Sequence, residues 1–538
     1  MQVKICAVNS KFIHSNLAVH SLACYFRQLC KDIKIEICEF TVNDVYKNVL
    51  FDILSDKPEV IAFSVYIWNV DFISKLCGDI KKIAPQIKII LGGPEVSFDV
   101  PFSFSEEIYD YIIAGEGERA FFCLVSELYG NDISNYSEKF SYKTDGKRVS
   151  CKKIDNLAEM PFIYTQDNIN LFKDKIIYYE SSRGCPFSCA YCLSAQSRRV
   201  RCLPIERVYS DVSFFIQEES VKQVKFVDRT FNSDKSRAYA IFEHIINNTA
   251  VNKNFHFEIC ADLLDQRTIN LLSKAENGLI QFEIGIQTIN KKSLEICARK
   301  TDIKKCFENI SLLLKNKNIN IHVDLIAGLP EDTFENFKDA FNQVYNLKAH
   351  QFQLGFLKLL RGAPLNNQVE KYGYKFSESP PYEILANAVM IHEDLSVLHG
   401  VEIVLDKFYN SGKFKESLNY CCAFFDTPFD FYSRLSSYML CRDWLYRACS
   451  LENLYNILID FAVLRDIDIS ELKEILLLDY HSGDIRDKPP QALRDIWIPY
   501  KKYKDMAKDS RKIGNKYYYF DYALKNPVTN RYNIIKIL

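Results

Sequence analysis

The chain is 538 residues long, with 48% hydrophobic and 25% charged residues and a net charge of −1. Such proportions fit an ordinary globular protein of about three or four domains, and they exclude the global basic field that gathers nucleic acid. No apolar run approaches the length that spans a bilayer, and eighteen cysteines without a visible secretory leader are expected to be reduced thiols of a cytoplasmic protein.

Residues 1–131 alternate between apolar runs and amphipathic stretches. Strands are expected at Val3–Asn9, Ile33–Phe40, Val60–Trp68, Ile87–Leu91 and Tyr109–Ala114. Helices are expected near Asn16–Cys30, Val45–Leu54, up to Ile83, and Arg119–Leu128. That alternation predicts an α/β, doubly wound, Rossmann-like sheet, which binds ligands at the carboxyl ends of its strands. Those ends carry Ser10 with His14, then Ser64, Tyr66 and Trp68, then Gly92-Gly93-Pro94, then Gly115-Glu116-Gly117-Glu118. Glycine lets backbone approach a ligand closely, and Tyr and Trp offer flat apolar surface. A large flat ligand is expected. Gly115–Ala120 also spells G-x-G-x-x-A, but it follows the fifth strand and sets two glutamates where a pyrophosphate would lie, so no dinucleotide site is read there. His14, alone after the first strand, reads as a hydrogen-bonding residue rather than a ligand.

Residues 132–170 read as a linker with a β-hairpin that turns at Thr144-Asp145-Gly146. The segment 171–375 opens with an apolar strand, Ile176–Glu180, and then Cys185-x3-Cys189-x2-Cys192. Three thiolates on one tight loop suit an iron–sulfur cluster. A four-iron cluster held by three cysteines keeps one iron free for a small ligand. A zinc site would want a fourth ligand from a second short-spaced Cys/His pair, and none follows Cys202. Arg198, Arg199, Arg201 and Arg207 form a possible local basic patch behind the cysteines. Further strands are expected at Val221–Val227, Phe255–Ala261, Leu279–Ile286, Ile319–Ile326 and Phe352–Leu359, with helices such as Ser236–Asn247 and Thr333–Leu347 between them. Six strand–helix units predict a partial (β/α)6 barrel with its functional groups at the strand carboxyl ends. Asp228, Glu258, Glu283, Gln287 and Asp324 stand at those ends. Four polar signatures in register are better explained by a shared polar ligand than by separate buried groups.

Residues 376–538 lose the alternation. Ile384–Leu398 reads as helix and Val401–Leu405 as a short strand, followed by aromatic-rich helices to Leu478 and two short strands at Lys516–Phe520 and Tyr532–Leu538. The region reads as a mainly helical domain whose aromatics form core, with no ligand cluster.

The C-x3-C-x2-C motif, with Tyr191 before its last cysteine, resembles the radical S-adenosylmethionine (SAM) superfamily. With it downstream, the N-terminal domain is similar to the cobalamin-binding domain of cobalamin-dependent radical SAM proteins, on Ser64–Asn69, Leu91-Gly92-Gly93-Pro94 and Gly115–Glu118. The D-x-H-x-x-G motif of better-known cobalamin proteins is absent. The resemblance implies a 4Fe–4S cluster on Cys185, Cys189 and Cys192. It implies SAM contacts from Tyr191, Asp228, Glu258, Glu283, Gln287 and Asp324. It implies cobalamin contacts from Ser10, His14, Ser64, Tyr66, Trp68, Gly92, Gly93, Pro94 and Glu116. Hydrogen abstraction by a 5′-deoxyadenosyl radical, followed by methyl transfer from methylcobalamin, is the expected chemistry. An electron donor such as flavodoxin or ferredoxin is the expected partner, with no membrane; nucleic acid is not the first expectation but stays open. Rearrangement or oxidation without methyl transfer, methylthio transfer to RNA, and a non-enzymatic cobalamin or redox sensor are the alternatives. The last third resembles the C-terminal extension of some cobalamin-type radical SAM proteins.

Overall fold

A computed structural model describes residues 2–101, 103–249, 252–484, 488–498 and 509–536. It forms two compact units: residues 1–257 with 358–368 and 376–383, and residues 258–357 with 369–375 and 384–538.

The first unit begins with a parallel sheet of β1 (Gln2–Asn9), β2 (Lys34–Thr41), β3 (Val60–Ser64), β4 (Lys88–Gly92) and β5 (Tyr111–Ile113). A hairpin of β6 (Lys143–Asp145) and β7 (Arg148–Ser150) follows, and the order across the sheet is 2-1-3-4-5-7-6. The strand order reverses between β1 and β3, so a ligand crevice opens beside Asn9 and Ser64. Both faces are covered: Ile5 and Ala7 pack toward Phe26 and Phe121, while Cys6, Val8 and Phe63 pack toward Ile73, Leu76 and Ile80. Burial on both faces is why these strands read as continuous apolar runs. The helix Leu17–Leu29 starts where expected because the Asn16 side chain accepts the Val19 N–H, a filled N-cap.

Two expectations change here. The third strand was expected to run to Trp68 but ends at Ser64. Asn69 causes the stop: its Oδ1 takes the Tyr66 N–H at 2.8 Å, and its Nδ2 reaches the Val8 and Ser64 carbonyls, closing a turn. The 132–170 hairpin is more than a connection, because β7 pairs parallel with β5 and extends the sheet, after a short helix at Ser134–Phe140.

The first unit continues with β8 (Ile177–Tyr179), β9 (Ser182–Arg183), β10 (Arg201–Cys202), β11 (Gln223–Phe226) and β12 (Asn254–Glu258). β11 lies parallel between β8 and β12, and β9 and β10 form a short antiparallel ladder.

In the second unit, β14 (Asn320–Ala327) lies parallel between β13 (Ile280–Gln287) and β15 (Gln351–Phe356). Strict alternation of burial along β13 and β14 puts Glu283, Gln287 and Asp324 on the same, less buried face. Five helices follow: His392–Val404, Lys415–Cys422, Pro428–Cys441, Leu451–Val463 and Ile469–Gly483. A three-stranded antiparallel sheet of Ser510–Ile513, Lys516–Asn526 and Arg531–Lys536 comes after them. Residues 537–538 of the expected last strand lie outside the described residues. The segment 384–405 corrects the sequence reading. Ile384–Ala386 is strand, and Val401–Val404 lies in helix. Leu398, Val401 and Leu405, at i, i+3 and i+7, are all buried, so packing of that face overrides the β-branched preference of the run. Phe414, Phe431, Tyr432, Tyr455 and Phe461 are buried core.

Candidate active site

The three cysteines sit on a loop whose two ends are held together by β9 and β10. Gly184, at φ +105, starts it; a Cβ there would lie 2.4 Å from the Arg199 carbonyl oxygen, so no other residue fits. The Cys185 N–H donates to the Ser197 carbonyl at 3.0 Å and the Cys192 N–H to that of Cys189 at 3.0 Å, which curls the loop back on itself. None of the three cysteines is in a disulfide. The Ser194 N–H donates to the Cys192 sulfur at 3.4 Å, and the Thr230 hydroxyl lies 3.5 Å from that of Cys185. Among the described residues no three His, Cys, Asp or Glu side chains converge on a point that could hold a single metal ion. The Leu365 N–H donates to the Ala190 carbonyl at 2.8 Å and Gln196 to that of Gly362 at 2.6 Å, so segment 358–368 is tied to this loop.

Asp228 was expected to face SAM. Instead it braces the base of the loop. It is 2% exposed. Its Oδ2 accepts the Ser181 N–H at 3.0 Å, and its Oδ1 accepts the Ser181 and Ser182 hydroxyls at 2.7 and 2.5 Å. Burial pushes its carboxyl above the usual range despite these donors. Tyr191 stays half-buried within the loop.

Two arginines, one on each side of the loop, reach the Gly-Glu-Gly-Glu segment after β5. Arg183 meets Glu118 at 2.5 Å, Glu180 at 2.7 Å and Glu116 at 3.5 Å. Arg201 grips both oxygens of Glu116, with Nη1–Oε2 at 3.1 Å, and also donates to the Ile154 carbonyl. Burial opposes ionisation of Glu116, but the two guanidiniums outweigh it and hold the carboxyl below its ordinary range. Glu116 is therefore a fastening residue, not part of an open cobalamin surface. Of the four arginines read as a basic patch, Arg201 is spent on Glu116 and Arg207 on Asp211 at 2.8 Å, while Arg198 and Arg199 stay exposed, Arg199 within 3.3 Å of Asp155.

A cavity of about 500 Å³ opens where the ends of β1 and β3 meet the residues that lead into the loop. Ser10, His14, Tyr66 and Trp68 line one side, and Tyr178, Glu180 and Arg183 the other. The Tyr66 and Trp68 rings stack, with centroids 4.5 Å apart and planes within 6°. The Trp68 indole N–H donates to the Val8 carbonyl at 3.1 Å, yet the side chain stays 45% exposed, leaving a free flat face. His14 lines the cavity with its Nδ1 2.6 Å from the Tyr178 hydroxyl, and burial pushes its pKa down. A second cavity of about 120 Å³, lined by Ser64, Gly92, Gly93, Gly115 and Gly117, shares Ala18, Tyr66 and Glu118 with the first. Gly93, at φ +111, lies so close to Val65 that a Cβ would be 2.4 Å from its carbonyl oxygen. Pro94 is the first residue of the short helix Pro94–Ser97 and lines neither cavity. A stacked aromatic plate beside a glycine-walled slot fits a planar macrocycle with a narrow tail.

In the second unit Glu283, Gln287 and Asp324 share one sheet face, and Asp324 lies 3.0 Å from the His322 ring. Gln287 has left-handed backbone at φ +72 at an irregularity in the β13–β14 ladder. Its buried Oε1 has no hydrogen-bond partner among the described residues. Glu258 ends β12, half-buried. Sequence reading missed Arg183, Arg201, Glu118, Asn69 and Tyr178. Arg183 and Glu118 both lie inside stretches singled out for their cysteines or glycines, but nothing local marks them as partners.

Residues 3–124 match the B12 binding domain family, residues 179–344 the Radical SAM superfamily, and residues 370–533 a family described as protein of unknown function (DUF4080). The cobalamin-dependent radical SAM methyltransferase TokK of Streptomyces tokunonensis is 25% identical over 363 residues, covering 59% of this chain and 50% of its own. The 2-(S-pantetheinyl)-carbapenam-3-carboxylate methyltransferase of Streptantibioticus cattleyicolor is 26% identical over 361 residues, covering 60% and 50%. The chain thus spans half the length of these two relatives. The solved structure of the cobalamin-dependent S-adenosylmethionine radical enzyme OxsB, with aqua-cobalamin and S-adenosylmethionine bound, matches with a TM-score of 0.60 at 14% identity, over 92% of this chain and 82% of that one. At that identity the likeness is one of fold. Among the described residues no helix is long and apolar enough to cross a membrane.

Proposed function

We propose that this chain, a radical SAM protein with a B12 binding domain ahead of its radical SAM domain, is an enzyme that methylates its substrate with the help of cobalamin. The observation that carries this reading is the single cavity of about 500 Å³ lined both by the ends of β1 and β3 and by the residues entering the three-cysteine loop. A 4Fe–4S cluster with SAM on its open iron, and cobalamin beside it, would supply an electron, a 5′-deoxyadenosyl radical and a methyl group. Cys185, Cys189 and Cys192 hold the cluster, with sulfur charge eased by the Ser194 N–H and the Thr230 hydroxyl. Tyr66 and Trp68 offer the corrin their flat face, and Gly92 and Gly93 wall the slot for its tail. His14 is held by Tyr178 through Nδ1 and would act at the cavity wall as a hydrogen-bonding residue, the chain having no D-x-H-x-x-G motif to supply a cobalt ligand. Tyr191, Glu258, Glu283, Gln287 and Asp324 orient SAM through its ribose, amine and adenine. A flavodoxin or ferredoxin delivers the electron.

The test is product analysis. The protein is reconstituted anaerobically with iron, sulfide and hydroxocobalamin, then reduced with SAM and a cell extract as substrate source. Formation of 5′-deoxyadenosine together with S-adenosylhomocysteine supports the reading. A protein full of cluster and corrinoid that yields no 5′-deoxyadenosine ends it, and 5′-deoxyadenosine alone removes the methyl transfer. The parallel similarity to two methyltransferases is what favours methylation over rearrangement.

A further inference from the structure

The second unit contains a cavity of about 370 Å³ at the amino ends of β14 and β15, the opposite end of the strands from Gln287. Three lysines surround it. Lys317 follows the helix Ile303–Asn316, Lys348 follows the helix Phe334–Asn346, and Lys415 opens the helix Lys415–Cys422. Among the described residues no Asp or Glu lines the cavity. Arg531 also reaches it, but its guanidinium is paired with buried Asp479 at 2.7 Å. The acid that acts on Lys348 from a distance, Glu416, stands outside the lining.

A helix C-terminus attracts cations, which accounts for Lys317 and Lys348 taken singly. It does not account for Lys415, which occupies the first residue of its helix, where the dipole opposes a cation. Lys317 and Lys348 also hold left-handed backbone, φ +57 and +58, at turns where glycine is the favoured residue. Strained lysines kept at two turns of one cavity point to a use for the ammonium groups. The Lys348 ammonium is oriented: it donates to Asn419 Oδ1 at 3.0 Å and lies 4.2 Å from the centre of the Tyr345 ring. His350 accepts the Ile321 N–H on Nδ1, so its neutral ring carries its proton on Nε2. Tyr345, Tyr409 and Leu418 add apolar wall. Few convergent polar groups above an apolar wall, in a space of this size, is how small-molecule sites are built.

We propose that this cavity binds a small organic phosphate, with the phosphate on Lys317, Lys348 and Lys415 and an apolar part against the tyrosines. The site is independent of the cluster loop and of the reaction proposed there. The whole protein is titrated calorimetrically with phenyl phosphate, and separately with inorganic phosphate and phenol, at constant ionic strength. Phenyl phosphate binds once per chain, at least about tenfold more tightly than either fragment. Lys348→Gln and Lys415→Gln each weaken it about tenfold, the effect of one lost charged hydrogen bond, and Lys348→Arg restores most of it. No saturable binding of phenyl phosphate overturns the proposal, as does unchanged affinity in a folded triple Lys→Gln variant. Should the triple variant lose its native circular dichroism, the wild-type salt dependence decides. Affinity that falls steeply with sodium chloride sustains the lysine site, and salt-independent binding overturns it.

Discussion

Arg201 and Glu116 are 85 residues apart in sequence, yet the guanidinium of one spans both carboxylate oxygens of the other. Arg201 stands across the β9–β10 ladder from Arg183, which holds Glu118. The two glutamates of Gly-Glu-Gly-Glu thereby fasten both ends of the cysteine loop to the N-terminal sheet. Arg201→Gln leaves Glu116 poorly compensated and destabilises by about 3 kcal/mol. Thermal unfolding and bound iron per chain both fall. The double variant with Glu116→Gln recovers part of the loss, because the orphaned charge is gone. Equal losses in the single and double variants would remove the fastening role.

Trp68 presents a face to the cavity while its indole N–H is anchored. Trp68→Ala removes that plate and weakens hydroxocobalamin binding about tenfold, or about 1.4 kcal/mol. His14→Asn leaves the absorption spectrum of the bound corrinoid unchanged, as follows for a chain without the D-x-H-x-x-G motif. A spectral shift in His14→Asn would make the histidine a ligand.

Asp228 collects three hydrogen bonds from Ser181 and Ser182 beneath the cysteine loop. Asp228→Asn keeps the shape but cannot accept all three, and it costs about 2 kcal/mol. The expected result is less cluster per chain after reconstitution with SAM affinity of the loaded fraction unchanged. A selective loss of SAM affinity would return Asp228 to the SAM site.

Two histidines of the second unit make it acid-labile. Burial, helped by Lys415, lowers His350 from 6.5 to about 4, and burial, helped by Arg511, lowers His481 to about 3. Both stay neutral in the folded chain and take protons when it unfolds. Their contribution to stability is complete above pH 6.5 and is lost as pH falls toward 4, by about 3 kcal/mol for His350. Urea unfolding of the wild type shows that slope. His481→Phe flattens it, because no proton is gained there on unfolding, and an unchanged slope would contradict the assignment.

Asp479 is a buried carboxylate that meets Arg531 at 2.7 Å and the Ser417 N–H at 2.8 Å, joining the last strand to the helix Lys415–Cys422. Asp479→Ala strands the Arg531 charge and lowers stability by about 3 to 5 kcal/mol, read as an earlier midpoint in urea.

The strand–helix order of the first 375 residues was legible because apolar runs buried on both faces and capped amphipathic helices are local signals: Asn16 and Thr333 cap the helices they were expected to open. The cysteine loop was legible for the same reason, since three cysteines within eight positions need no distant partner to share one loop. Segment 384–405 was not, because a run such as Val401–Leu405 suits strand or helix, and the choice is made by which face finds a core. The fate of single polar residues was decided only in three dimensions. Glu116 and Asp228 look alike in sequence to groups that face a ligand. Pairing with Arg201 in one case, and with Ser181 and Ser182 in the other, spends their lone pairs elsewhere. A carboxylate's role depends on what lies within about 3 Å of it, and that distance is set by chain segments tens of residues away.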